Sequence, residues 1–465
     1  MTYFIKFMEE YKKHYVAVIG GSISGSEAAN LLAQNGFRVV VFDMNALPYG
    51  KIEDGLPNWH ISLRDRQQQD IDKKLNQDNI RFVPLVKIGS DIEFKDLVQN
   101  WGFSAIILAN GAWQDRKLQI EGIDKFINKN IIYQNDFIYW FNHKHEPNYN
   151  GIHYELKDNA VVIGGGLASL DVVKIFMIEL VKMKLEKLYN INVDLFTLEK
   201  YGIDKILAQH DIEFNDLGLN GVTLVYRREA QDMPLKDPKD ETKESIVKAK
   251  AISKKLLQKY QEKFKFNFKE LSIPIALKEV NGKLEGITLQ SVKKENGKLV
   301  PIDHKIQTIP TQMIVSSIGS LPEKIDGLNY KWDTLVMKSE NEYSVAGYDN
   351  VFAIGNAVTG RGNIQDSKQH GKKMTKKIID FHLTEDAFEK WLVTLNQSIK
   401  EDVASQVNSI IKSIKKQELQ PNDIIQKILD KTQEINESNG YKTYESWIAK
   451  KKPVRLEELI NKNNI

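Results

Sequence analysis

The chain has 465 residues, enough for two or three domains with cores of their own, and its 42% hydrophobic content is that of an ordinary globular protein. Lysine and arginine number 65 against 62 acidic residues, a formal charge of +3, which gives no general attraction to nucleic acid or to a membrane. Cysteine is absent, which excludes an internal disulfide, a redox-active dithiol and a cysteine-held iron–sulfur cluster.

In chain order, the opening MTYFIKFMEEYKKHY has no signal-peptide core. No run approaches the roughly 18 apolar residues of a membrane span, so the expected compartment is the cytoplasm. Tyr15 to Ile19 reads as a buried strand, Ser26 to Asn35 as a helix, and Arg38 to Phe42 as a second strand ending at Asp43. Leu47 to Pro57 is punctuated by Pro and Gly, a polar helix follows over Arg64 to Gln77, and Ser104 to Leu108 is an apolar strand leading to Gly111. Asn142 to Tyr154, which holds His143, His145 and His153, reads as a surface connection without metal-ligand spacing. Ala160 opens a second strand–turn–helix unit whose next strand, Val222 to Tyr226, comes late, after an insertion from Met183 to Asn220. A Lys-rich helix is predicted over Glu241 to Phe264. Strands turning at Asn281 and Asn296 lead to another strand, Met313 to Ile318. Val351 to Ile364 reads as strand then glycine turn, with a helix from about Ser367 and polar helices beyond Leu383.

Two glycine-rich loops carry the chemistry, VAVIGGSISGSEAA and AVVIGGGLASLDVV. Each joins a strand to a helix, where glycines permit a tight turn and close approach of backbone to a pyrophosphate at the helix N-terminus. The first has Gly20, Gly21 and Gly25, with Ser22 at the second fingerprint position, where a Cβ crowds the pyrophosphate and a hydroxyl could donate to it. Asp43 then supplies an acid for ribose hydroxyls. The second has Gly164, Gly165 and Gly166, with Ser169 as a small third residue. Its next strand ends in Arg227 and Arg228, suited to a 2′-phosphate through charge-assisted bonds. The expectation is FAD on the first loop and NADPH on the second. His60 is a candidate flavin neighbour or an ordinary structural histidine, Asp171 an acid in the first turn of the second helix, and Trp140 and Trp447 core residues.

At these residues the chain resembles the group of flavoproteins formed by adrenodoxin reductase-type ferredoxin–NADP reductases and glutamate synthase small subunits. The resemblance runs through PYGKIEDGLP, VKIGSDI, FSAIILANGA, GGGLASLDVV, LEKYGIDKILAQ, VYRREAQDMP and ESWIAKKKPVRLEEL. It implies an α/β fold of two Rossmann-like dinucleotide-binding domains, the second inserted in the first, with a helical C-terminal segment. The expected boundaries are an FAD domain over 14–115 and 310–382, an NADPH domain over 116–309 and a C-terminal extension over 383–465. By position it places Ser24, Asp43, Lys51, Ile88, Gly111, Gly355 and Asn356 at FAD, and Gly362, Asn363 and Ile364 where backbone meets flavin and, for Gly362, nicotinamide. It places Gly165, Gly166, Leu167, Ala168, Arg227 and Arg228 at NADPH. Ser22, Lys51, Asn356 and Leu167 depart from common residues of the group.

The implied function is hydride transfer from NADPH to FAD, with electrons leaving singly to an external ferredoxin or flavodoxin. Lys248, Lys255 and Lys259 share one face of the predicted helix and are candidates for docking an acidic carrier. A second reading has the chain serve a partner subunit or small acceptor, as glutamate synthase small subunits do, though it lacks their cysteine-rich cluster domain. A third, from another class, is a degenerate nucleotide-binding sensor or scaffold.

Overall fold

The computed structural model describes residues 14–236, 238, 240–338, 343–357 and 385–463. Its contacts divide into two units. The first comprises residues up to Leu56, His60–Gln114 and Leu321–Pro453, and the second Pro57–Trp59, Asp115–Ser320 and the chain from Val454 on.

The first unit begins with β1 (Tyr15–Ile19), all five residues buried, and turns through Gly20 into α1 (Ile23–Gln34). The expected start at Ser26 is three residues late. Gly25 and Ser26 already lie on the buried face of α1, because the tight Gly20–Ser22 turn brings the helix directly onto the strand. Strand β2 (Arg38–Phe42), the short α2 (Lys51–Asp54), α3 (Ile61–Leu75), β3 (Ile80–Val83), α4 (Phe94–Asn100) and β4 (Ala105–Leu108) follow. Strand β1 pairs in parallel with both β2 and β4, and β2 with β3. The apolar runs of these strands are the cores of the unit's two faces.

The second unit contains β5 (Ile131–Tyr133), α5 (Gln134–His143), β6 (Val161–Gly164) and α6 (Leu167–Tyr189). Asn142 and His143, expected on a surface connection, are buried at the end of α5. The insertion after Met183 is largely helical. Helix α6 runs unbroken to Tyr189, and α7 (Leu195–Tyr201) and α8 (Ile203–Ala208) bury Leu195, Leu198, Ile203, Ile206 and Leu207 in the same core. Strand β7 (Thr223–Val225), α9 (Lys243–Phe264) and β8 (Asn267–Lys269) complete its doubly wound half. An antiparallel sheet of β9 (Ser272–Val280), β10 (Lys283–Glu295) and β11 (Lys298–Pro310) turns at Asn281-Gly282 and Asn296-Gly297, all four at positive φ as two-residue hairpins require. Strand β12 (Ile314–Ser317) lies between β5 and β6, giving the parallel order β5-β12-β6-β7-β8. The boundary expected at residue 310 is therefore too early, since this strand's pairing holds the chain in the second unit through Ser320.

The chain then returns to the first sheet as β13 (Val351–Ala353), which pairs with β4 in the order β13-β4-β1-β2-β3. The region expected as a separate extension is mostly built into the first unit. Helix α10 (Glu385–Ile414) lays Val403, Val407, Ile410, Ile411 and Ile414 on the core beside α1. Helix α11 (Asn422–Ser438) buries Ile428 on the other face. Helix α12 (Tyr444–Lys451) buries Tyr444 and Trp447, and α13 (Leu456–Asn463) belongs to the second unit. Among the described residues no helix is long and apolar enough to cross a membrane.

Candidate functional site: two glycine loops

The first loop is fixed by contacts that glycine alone permits. A Cβ on Gly20, whose φ is +98°, would stand 2.6 Å from the carbonyl oxygen of Ala109, and one on Gly25 would overlap the carbonyl oxygen of Gly20. A Cβ on Gly21 would meet Pro48 at 2.7 Å. The turn Pro48–Gly50 thus lies directly on the loop. Tyr49 holds it there, with its hydroxyl donating to Asp72, which also accepts from Tyr444 at 2.8 Å.

The Ser22 hydroxyl, which could donate to a phosphate, is engaged within the protein. It donates to the carbonyl of Tyr49 at 2.9 Å. Its Cβ stands 3.0 Å from where a Cβ of Gly50 would be, and Gly50 has φ +53°. The extra bulk of Ser22 is accommodated by a glycine in the facing turn, and Ser22 caps none of the first amides of α1. Those amides keep the orientation that receives a pyrophosphate.

Asp43 closes the loop. Its Oδ2 accepts from the Gly21 amide at 2.7 Å and its Oδ1 from the Asn45 amide at 2.9 Å. Burial pushes its pKa up to about 6, against those two bonds, with the Asp54 charge adding to the rise. Each oxygen retains acceptor capacity for a ribose hydroxyl.

Lys51, the first residue of α2, holds its ammonium 5.9 Å from the ring centroid of Trp113. Gly111 (φ +67°) lies beside the same ring, Ile88 is buried, and Gly355 (φ +57°) faces the Ser24 hydroxyl. His60 is 5% exposed and precedes α3. The Asn356 side chain, Gly362, Asn363, Ile364 and the helix expected from Ser367 lie outside the described residues.

The second loop differs in one respect. Gly164 is packed, its added Cβ 2.5 Å from the Ser317 carbonyl oxygen, and a Cβ on Gly165 would overlap the Tyr226 ring. Gly166 is not. Its φ is −94°, open to any residue, and an added Cβ would meet nothing within 4 Å. Neither backbone nor packing demands glycine there. The open space before the uncapped N-terminus of α6 fits a bound dinucleotide.

Leu167 and Ala168 open α6, and Ser169 donates to the Gly166 carbonyl at 2.6 Å. Tyr226, which sequence reading passed over, packs its ring on Gly165 and donates to the Asp232 carbonyl at 2.9 Å. It brings the end of β7 to the loop, with exposed Arg227 and Arg228 next in the chain.

Asp171 lies beyond the first turn of α6, not in it. It belongs to a buried cluster with Lys174, whose Nζ is 3.7 Å from Asp171 and 2.6 Å from Glu199. Burial raises the Asp171 pKa to about 6 against the pull of Lys174, and the two carboxylates hold the Lys174 ammonium well above the ordinary lysine range. Its sequence signal is a lone cation inside the apolar run SLDVVKIFMI.

The three histidines of the 142–154 stretch have ordinary partners. His143 Nδ1 meets Glu146 at 2.6 Å, His145 Nε2 the Val454 carbonyl at 2.9 Å, and His153 packs edge-on against Tyr149. Trp140 and Trp447 are buried, as expected of core residues. Lys248, Lys255 and Lys259 are exposed along α9.

The profile of the pyridine nucleotide-disulphide oxidoreductase family matches residues 14–239. A probable mitochondrial NADPH:adrenodoxin oxidoreductase of Schizosaccharomyces pombe is 23% identical over 344 residues, 67% of this chain and 70% of that protein. The chain is thus similar to flavoprotein oxidoreductases of the adrenodoxin reductase type. The small chain of NADPH glutamate synthase from Bacillus subtilis is 33% identical over 123 residues, 26% of this chain and 24% of that protein. In fold, the chain is similar to Mycobacterium tuberculosis FprA in complex with NADPH, with TM-score 0.62 and 20% identity over 91% of this chain and 90% of that one.

Proposed function

We propose that the protein takes a hydride from NADPH at the second loop and passes the electrons singly, from FAD held at the first loop, to an external carrier of the ferredoxin or flavodoxin kind. One observation carries the assignment of the two loops. The first loop is bonded to a buried acid, Asp43, whereas the second is packed under Tyr226, which leads into Arg227 and Arg228. An acid suits ribose hydroxyls and repels a 2′-phosphate, and a guanidinium pair does the reverse.

Bound flavin accepts two electrons with the hydride and releases them one at a time, which is the chemistry the cofactors supply. The chain's own residues bind and orient. In this reading Gly164, Gly165, Gly166, Leu167 and Ala168 seat the NADPH pyrophosphate, and Arg227 and Arg228 pair with its 2′-phosphate. The α1 amides, Ser24 and Gly111 meet FAD phosphates, Asp43 accepts from its ribose, and Lys51 adds a cation beside the loop. Ile88, His60, Gly355 and Asn356 are assigned to its surroundings, as are Gly362, Asn363 and Ile364, with Gly362 also serving the nicotinamide.

The carrier is drawn from the chemistry of single-electron release and from the S. pombe relative, named for adrenodoxin. Exposed Lys248, Lys255 and Lys259 offer an acidic carrier a steering field. The short match to a glutamate synthase small chain favours a second reading, in which a partner subunit takes the electrons. Anaerobic titration with NADPH and NADH, followed by ferredoxin, tests the proposal. NADPH should bleach the flavin at lower concentration than NADH, and ferredoxin should restore its colour. A flavin that NADPH leaves oxidised overturns it.

A further inference from the structure

The buried Lys174 cluster has no part in the binding scheme above, and a lone buried ion cluster is a poor source of stability. Its ammonium is nonetheless the meeting point of four segments of the second unit. Lys174 is on α6, two turns from the second glycine loop, and its side chain is 4% exposed. Glu199 comes from α7, with its carboxylate 2.6 Å away. Helix α9 brings Tyr260 and Phe264, their ring centroids 5.7 and 5.4 Å from Nζ. The fourth segment is Pro57–Trp59, and Trp59 gives the closest ring, 4.5 Å from Nζ. Asn58 helps secure this segment, with Nδ2 3.3 Å from the Asn142 carbonyl, and Trp59 also packs on Phe141 at 5.4 Å.

Pro57–Trp59 belongs to the second unit, although its chain neighbours on both sides belong to the first. On one side are Lys51–Leu56, which follow the Pro48–Gly50 turn that lies on the first glycine loop, and on the other are His60 and α3. A cation on the face of a buried indole is held by the negative face of the ring, and it fixes the ring in place as a hydrocarbon side chain would not.

We propose that Lys174 is a positioning residue for hydride transfer. Its ammonium clamps Trp59 to the helix that carries the NADPH loop and so fixes Pro57–Trp59, the stretch of the second unit that joins Leu56 to His60 in the chain. The inference rests on the functional reading above.

The test compares FAD-loaded wild type with Lys174→Met, Lys174→Arg and Trp59→Leu. Hydrogen exchange of the peptides spanning 51–60 reads the clamp without any turnover. Lys174→Met and Trp59→Leu should accelerate it, and Lys174→Arg, which keeps the charge and its stacking, should restore protection. Trp59→Leu leaves the ion pairs intact and serves if Lys174→Met does not fold. In stopped flow, both disruptive variants should lower the rate of flavin reduction at saturating NADPH roughly tenfold while apparent Kd changes less than about threefold. Wild-type exchange over 51–60 in Trp59→Leu, or a loss confined to Kd, overturns the proposal. Failure of NADPH to reduce wild-type flavin would instead overturn the functional reading, and the exchange measurement would still decide whether the clamp exists.

Discussion

Gly166→Ala separates what the fold needs from what the cofactor needs. At this position an added methyl meets no atom within 4 Å and the backbone, at φ −94°, suits alanine. Two small effects on stability oppose each other. The stiffer unfolded chain gains about 0.4–1 kcal/mol, while alanine is a poorer helix cap than glycine by a comparable amount. The melting temperature should therefore stay within about 2 °C of wild type. Binding should suffer far more. A methyl between the loop and a pyrophosphate oxygen breaks at least one amide bond to a charged group, about 1.5–3 kcal/mol, or roughly 10- to 150-fold in Kd. The assay is anaerobic titration of the bound flavin with NADPH, alongside a melt and a visible spectrum to show that FAD is retained. Gly165→Ala is the contrasting control, because its methyl would occupy the Tyr226 ring and should destabilise the fold itself. A Gly166→Ala protein that keeps FAD and binds NADPH as wild type does would refute the assignment of this loop.

Arg227→Ala with Arg228→Ala should weaken NADPH roughly 10- to 100-fold and NADH less than about threefold, since only NADPH has the phosphate those charges address; equal losses would remove their role. Asp43 gives a pH signature. Its folded pKa, about 6, exceeds the ordinary 3.8, so between those values the folded apoprotein holds the extra proton and loses stability as pH rises, by about 3 kcal/mol once ionised. A ribose hydroxyl donates to the charged form, so FAD affinity should climb from pH 5 to about 6.5 and then level off. Asp43→Asn should flatten that climb, and a wild-type affinity constant over this range would exclude the contact. Reversing Lys248, Lys255 and Lys259 to glutamate should slow reduction of an acidic ferredoxin by roughly tenfold or more at low ionic strength while sparing ferricyanide; a rate equal to wild type at every salt concentration would place the docking face elsewhere.

The parallel sheets were legible because β1, β2, β4, β6 and β7 are short apolar runs, and a buried parallel strand has little freedom to be anything else. The glycine turns were legible for a related reason, since Gly20 and Gly25 answer to backbone contacts set by the turn itself. What escaped was long-range pairing. Ile314–Ser317 reads as a strand in any register, and only its partners β5 and β6 assign it to the second sheet. The amphipathic pattern of α10 shows that it covers a surface without saying that the surface is α1 and the first core. Ser22 shows the same limit within a site. Seen alone, its hydroxyl could donate to a phosphate, and only the folded turn at Tyr49–Gly50 shows it donating to the Tyr49 carbonyl. Lys174 and Trp59 were missed together, because neither has a chemical reason to be where it is until the other is beside it. Local motifs therefore reveal where a cofactor's phosphates can sit. Side chains such as Lys174 and Trp59 take on meaning only in the packing between distant segments, where the buried cation makes that packing testable.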